Sequence, residues 1–383
     1  MSTTTANTAG LAGVVAGDTE ICSVEQGGLL YRGYEIADLA QNANFEQVSY
    51  LLLVGHKPND AELKAFTEEL AAERHLPELV DNYILSMKEP LAAGTAAPMD
   101  VLRSAVSILG NLDPEAQSID PDAELRKSKR LLAKIPVIIG HCQNVIDGVD
   151  LVKPDPTESH AGSLLTMIRG GKKATPEEER IVDVSLILYA EHDYNASTFT
   201  SRVIAGTLSD LHGAVTGAIA ALKGPLHGGA NEAAMEMLKE VDEFVSAGKG
   251  SVEDWLRDAF VQKKKLMGFG HRVYKNGDHR AGILHELGRA YTEKNHADKL
   301  KHFEHGEAMM KIMAEEKTIF PNVDVPCGMT YYAMGIPVPQ YTPIFVAARI
   351  TGWAAHVMEQ HANNRLIRPV SNYTGPAQRS WNG

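Results

Sequence analysis

Four short segments of the chain carry residue types able to do chemistry. The first is Ala190-Glu191-His192-Asp193-Tyr194-Asn195. The second is Gly224-Pro225-Leu226-His227-Gly228-Gly229-Ala230-Asn231. The third, Met267-Gly268-Phe269-Gly270-His271-Arg272-Val273-Tyr274-Lys275, continues to Asp278-His279-Arg280. The fourth, Asn322-Val323-Asp324, offers one isolated carboxylate. His227 lies between Gly-Pro and Gly-Gly, at the start of a predicted helix. The glycines let other atoms approach its ring. A helix N-terminus disfavours imidazolium, so a neutral ring that donates a hydrogen bond is the expected form. The plainer alternative is a capping or loop histidine.

Six cations (Lys263, Lys264, Lys265, Arg272, Lys275 and Arg280) stand in the third segment and its approach, against one acid, Asp278. In a chain of net charge −12, with backbone exposed at Gly268 and Gly270, such a block suits a phosphorylated ligand. A solvated charge run on a helix face is the alternative. GFGH is not a GxGxxG turn and no strand precedes it, which excludes a dinucleotide-binding unit. Arg349 sits in the otherwise apolar run IFVAARITGWAAHVM. A buried guanidinium needs a carboxylate partner, as in a structural salt bridge, or an anionic ligand. No HExxH, no HxH and no Cys/His quartet at ligand spacing offers a metal site.

The elements that must position these groups read as helices. Asn59-Asp60 caps a segment whose Leu63, Phe66 and Leu70 share a face. Thr175-Pro176-Glu177 has a cap, Pro at the first helical position and acids in the first turn. The run 181–191 that follows is apolar nearly all round, as a buried helix should be. Thr342-Pro343 opens another helix, to about His361. Residues 19–36 alternate weakly and turn at Gln26-Gly27-Gly28, which predicts a short hairpin. Residues 110–125 and 148–160, rich in Pro, Asp and Gly, predict surface loops. No alternation of strand and helix supports a parallel sheet, and no repeat stands out. The expected fold is all-α with one small β-hairpin.

Composition narrows the class. The chain has 383 residues, 44% apolar and 22% charged, as in an ordinary soluble protein of two or three domains. Net charge −12 argues against nucleic acid or an anionic membrane as partner. Cys22, Cys142 and Cys327 form no CxxC pair, which fits a reducing cytoplasm. No apolar run approaches the ~20 residues needed to span a bilayer, and no signal peptide opens the sequence.

Together the four segments resemble the citrate synthase family. EHDYNAST (191–198), GPLHGGAN (224–231), MGFGHRVYKNGDHRA (267–281) and NVD (322–324) match in the family's order, and the likeness covers nearly the whole chain. His279 departs from it, since the family usually has Pro there. The resemblance implies an all-α fold with a large domain (1–228 and 336–383) and a small one (229–335) that closes over the site. It implies a catalytic trio of His227, His271 and Asp324. His192, Arg280, Arg349 and Arg368 would bind oxaloacetate. The backbone of Leu266, Met267, Gly268, Phe269 and Gly270 would hold the CoA adenine, and Arg272 and Lys275 its phosphates. No metal or other cofactor is implied. Acetyl-CoA and oxaloacetate would be the substrates, and a homodimer would supply Arg368 from the partner chain. No NADH inhibition is expected, because NADH-sensitive members carry an extra N-terminal domain. The close rival is 2-methylcitrate synthase, which uses propionyl-CoA and which VYKNGD resembles. A citryl-CoA lyase and an inactive CoA-binding scaffold are further alternatives.

Overall fold

The computed structural model describes residues 9–11, 13–25, 28–271 and 273–381. Three short strands form an antiparallel meander near the N-terminus: β1 (Cys22–Glu25), β2 (Gly28–Tyr31) and β3 (Tyr34–Glu35). The expected single hairpin is thus only part of the sheet. Arg32 (φ 48°) and Gly33 (φ 88°) make the second turn and let Tyr31 pair with Tyr34. Arg at a left-handed position is not a turn signal, so this turn was not legible. Of the first turn, Gln26 and Gly27 lie outside the described residues. Tyr31 is buried, and its hydroxyl donates to the carbonyl of Glu191 at 2.9 Å. The sheet thereby anchors the first chemical segment.

The remainder is mostly helical, as expected. In order come α1 (Ile36–Asn42), α2 (Phe45–Val54), α3 (Asp60–Ala72), α4 (Glu78–Ser86), α5 (Lys88–Ala92), α6 (Pro98–Leu112), α7 (Pro121–Asp147) and α8 (His160–Ile168). Then follow α9 (Pro176–Tyr189), α10 (Ala196–Ala205), α11 (Leu211–Leu222), α12 (Ala230–Ser246), α13 (Val252–Val261), α14 (His279–Asn295), α15 (Leu300–Lys317), α16 (Asp324–Ala333) and α17 (Tyr341–Ala362). Asn59 and Thr175 cap α3 and α9 through reciprocal bonds with Glu62 and Glu178. The loop expected over 110–125 is shorter, because α6 runs to Leu112 and Asp120-Pro121 starts α7. There the Asp120 side chain accepts from the backbone of Asp122 and Ala123. The same Asp-Pro chemistry that breaks a chain also opens a helix.

α17 runs through the core and packs against α2, α7, α9, α10 and α11. Every residue from Tyr341 to Val357 is buried, Arg349 included. Gly352 lets α17 lie directly on the end of α9: a Cβ there would stand 1.9 Å from Glu191 Oε2. Helices α12 to α16 pack on one another, while α14 also meets α1 and α9 and α12 meets α17. Among the described residues no helix is long and apolar enough to cross a membrane. All three cysteines are buried and free.

Candidate active site

His227 lies in the turn between α11 and α12. Its Nε2 accepts from the backbone N–H of Ser197 at 3.3 Å, with Ser197 Oγ 2.8 Å from the same nitrogen. A backbone N–H can only donate, so the proton of the neutral ring sits on Nδ1. Burial first, then the charge of Arg349, push the imidazolium form down to about 3. The expected neutral ring is therefore present, but for a different reason. Its own helix begins only at Ala230, and the helix end that faces Nε2 is the N-terminus of α10, capped by Asn195.

His271 is neutral by the same logic in another place. Its Nδ1 accepts from the backbone of Val273 (3.1 Å) and Tyr274 (3.2 Å), which leaves the proton on Nε2. Burial, then Arg280, lower its pKa to about 4. The ring stacks on Tyr274 at 4.7 Å and meets His192 edge-on at 5.1 Å. His192 is held well below the ordinary histidine range by burial and by Arg280. Among the described residues its buried Nε2 has no hydrogen-bond partner. Such an orphan costs about 1–3 kcal/mol and is retained where a ligand can use it.

Asp324 opens α16. It is buried, and burial lifts its pKa to about 6 against the lowering effect of a hydrogen bond from Tyr189. That bond is 2.8 Å long, from the hydroxyl of Tyr189 to Oδ1. The glycine segment is tied to this helix start. Phe269 bridges to Pro321, Gly270 N donates to Phe320 O (2.8 Å) and Asn322 N to Gly268 O (2.9 Å). Gly268 (φ 80°) cannot be replaced, since a Cβ would lie 2.4 Å from Val325 Cγ2. Leu266, Met267, Phe269 and Gly270 remain partly accessible.

The two buried arginines differ. Arg349 donates through Nε to Tyr189 O (2.7 Å) and lies 4.8 Å from the Phe345 ring centre. Among the described residues no carboxylate is within ion-pair distance of it, so the expected salt-bridge alternative is not formed there. Leaving a guanidinium buried and unpaired costs several kcal/mol, which an arriving anion removes. Arg280 has its fork filled by Asp278, with Nε–Oδ1 3.0 Å and Nη2–Oδ2 2.7 Å. The one acid of the basic block is thus the partner of one of its cations. Asp278 also accepts from Val323 N at 3.2 Å, which couples the pair to the backbone next to Asp324.

Other expected residues are less engaged. Lys275 is exposed and, among the described residues, hydrogen-bonds the carbonyl of His271 (3.2 Å). Lys264 pairs with Glu240 and covers the Trp255 ring, while Lys263 and Lys265 are exposed. Arg272 lies outside the described residues. Arg368 is exposed in the non-helical stretch after α17 and makes no hydrogen bond or ion pair with the other described residues. His279, where Pro was expected, is the first residue of α14, a position that suits Pro. Among the described residues no group of His, Cys, Asp or Glu is arranged to hold a metal ion.

The sequence missed three supporting residues. Ser197 and Asn231 lie inside the quoted motifs but drew no role. Tyr189 was read as core because it ends an apolar helix. Its ring is 4.3 Å from that of Phe345, which in turn is 6.3 Å from His227. Tyr189 and Phe345 thereby connect Asp324, Arg349 and His227 in one site. The site offers two neutral N–H donors, one carboxylate that accepts a proton near pH 6, and an unpaired guanidinium. That set can draw a proton from a weak carbon acid while its oxygen is hydrogen-bonded, and can polarise the carbonyl of an anionic acceptor.

The chain is similar to known proteins along nearly its whole length. The family model described as "Citrate synthase, C-terminal domain" matches residues 10–370. The chain is 41% identical over 374 residues to citrate synthase 2 of Bacillus subtilis, covering 98% of this chain and 97% of that one. It is also 41% identical over 376 residues to 2-methylcitrate synthase 1 of Corynebacterium glutamicum, covering 97% and 96%. A solved citrate synthase from Thermoplasma acidophilum, in ternary complex with carboxymethyl coenzyme A and oxaloacetate, superposes with a TM-score of 0.90 at 32% identity, covering 98% and 97%.

Proposed function

The chain belongs to the citrate synthase family, and from that membership we propose that it condenses acetyl-CoA with oxaloacetate and hydrolyses the resulting citryl-CoA to citrate and CoA. The observation that carries this reading is the pinning of two neutral imidazoles by backbone N–H groups, at Nε2 of His227 and Nδ1 of His271. Asp324 takes a proton from the methyl carbon of the thioester. The Nδ1–H of His227 donates to the thioester oxygen as negative charge gathers there. The carbon then attacks the keto carbon of oxaloacetate, whose oxygen is polarised by the Nε2–H of His271 and takes up a proton to become the hydroxyl of citryl-CoA, while Asp324 gives the methyl proton up to solvent. Each such donor is worth roughly 3 kcal/mol of barrier. Water then cleaves the thioester and releases the CoA thiol. The reaction so written uses no metal and no redox cofactor.

His192, Arg349 and Arg280 receive oxaloacetate, with Arg368 of a second copy completing the site in a homodimer. The bidentate Asp278 pair leaves Arg280 only its remaining edge for substrate. Leu266 to Gly270 take the adenine of CoA, and Arg272 and Lys275 its phosphates. The small domain, 229–335, closes on the large one to exclude water from the enolate. The reaction would feed the tricarboxylic acid cycle in the cytoplasm.

Propionyl-CoA is the second reading, because relatives of equal identity bear the name 2-methylcitrate synthase. One methylene discriminates by only about 1–3 kcal/mol. Thiol release with oxaloacetate decides between them. A higher kcat/KM for acetyl-CoA supports the first reading, a higher value for propionyl-CoA the second, and no release with either overturns both.

A further inference from the structure

The hydrogen bond between Tyr189 and Asp324 has a direction that its neighbours impose. Nδ2 of Asn231 stands 3.3 Å from the Tyr189 hydroxyl oxygen and can only donate to it. The hydroxyl has a single proton, which therefore goes to Asp324 Oδ1 at 2.8 Å. The same Asn231 amide donates to Cys327 Sγ at 3.5 Å, one turn along α16 from Asp324. Tyr189, Asn231 and Cys327 are all buried. Among the described residues Tyr189 is the sole hydrogen-bond donor to this carboxylate.

We propose that Tyr189 is a positioning residue for Asp324: its hydroxyl occupies Oδ1, aims Oδ2 at the substrate carbon and keeps the carboxylate ionised. The assignment rests on the condensation reading above and adds a residue to it. Tyr189 touches no reacting atom. It acts by holding one oxygen of the base and leaving the other free. The burial of its phenol raises its own pKa well above 10, so the donor proton stays in place at every working pH.

The charged groups around Asp324 do not substitute for this contact. From the start of α14 come Arg280, which favours ionisation, and Asp278, which opposes it and neutralises Arg280 directly. From α17 comes Arg349, a smaller influence that favours ionisation. From α16 itself comes the thiol of Cys327, and from α12 the neutral amide of Asn231. Burial already favours the protonated acid, and a hydrogen bond to the ionised form counters it.

The experiment is the pH profile of kcat/KM for Tyr189→Phe, which removes the hydroxyl and keeps the ring and its packing on Phe345. The acid limb, expected near pH 6 in the unaltered enzyme, should move up by about one pH unit. At pH 8.5, above both limbs, kcat should still be about tenfold lower, because the carboxylate can turn. KM for oxaloacetate should stay within twofold. A second variant, Asn231→Ala, frees the hydroxyl without removing it and should move the limb in the same direction by less. It covers the case in which Tyr189→Phe does not fold. An unmoved limb with kcat within twofold of the unaltered enzyme would assign Tyr189 to packing alone and overturn the proposal while the condensation reading stands. If the unaltered enzyme releases no thiol, the condensation reading falls and this assignment falls with it.

Discussion

Ser197 turns its backbone N–H toward Nε2 of His227 at 3.3 Å, although thirty residues separate the two. Its hydroxyl lies 2.8 Å from the same nitrogen and accepts from Trp353 Nε1 at 3.1 Å. The end of one helix therefore dictates which nitrogen of a histidine on another loop carries the proton.

Ser197→Ala keeps the backbone donor and loses the hydroxyl. We expect kcat to fall about tenfold with KM for oxaloacetate unchanged, since the ring is less firmly held while the dicarboxylate site is intact. Steady-state kinetics with both substrates varied would check this. An unchanged kcat would show that the backbone bond suffices.

On the proposed condensation, Asp324 should set the acid limit of the reaction. Its pKa is raised to about 6, so the protonated, inactive acid accumulates as pH falls through 6. kcat/KM should drop about tenfold per pH unit below that point. Neither histidine adds a limb in this range, because both titrate lower, near 3 and 4. The same shift has a stability cost of opposite sign. The folded state binds this proton more tightly than the unfolded chain does. Stability is therefore lost as pH rises from the unfolded value toward 6, by roughly 1–3 kcal/mol in all. Asp324→Asn should abolish condensation and raise Tm by a degree or more at pH 8, with a smaller gain at pH 5. A lower Tm at pH 8 would contradict the sign.

Lys275 is exposed next to the glycine segment and carries no carboxylate partner among the described residues. Lys275→Ala should raise KM for the acyl-CoA several-fold and leave KM for oxaloacetate alone. The acyl-CoA KM should also become less sensitive to salt, because a screened contact is gone. A rise confined to the oxaloacetate KM would mean that the basic block serves the other substrate.

Arg368 follows α17 in an exposed stretch whose Val370, Tyr373 and Trp381 also face solvent in the single chain. Docking of this stretch on a second copy would cover them and bring Arg368 to the partner's site. Mixing Asp324→Ala with Arg368→Ala under conditions of subunit exchange tests it. Each mixed dimer collects both lesions in one site and leaves the other whole, so activity should return toward half of the unaltered value. No recovery despite proven exchange would place Arg368 in its own chain's site.

Much of this protein was legible in its residues alone. Asn59 and Thr175 announce helices because a cap side chain and the backbone it satisfies are neighbours in sequence. The types of His227, His271 and Asp324 state what chemistry is available, since donors and a base are properties of side chains. The apolar run around Arg349 signals a buried cation that needs either a carboxylate partner or an anionic ligand. The sequence could not say which nitrogen of each ring holds its proton. That depends on Ser197 for His227 and on the folded turn through Tyr274 for His271. Nor could it show that Asp278 fills the fork of Arg280, or that a core tyrosine donates a hydrogen bond to Asp324. A tautomer, a preferred ion pair and a raised pKa are set by distances and by the exclusion of water. Both come into being only when segments far apart in the chain are packed together.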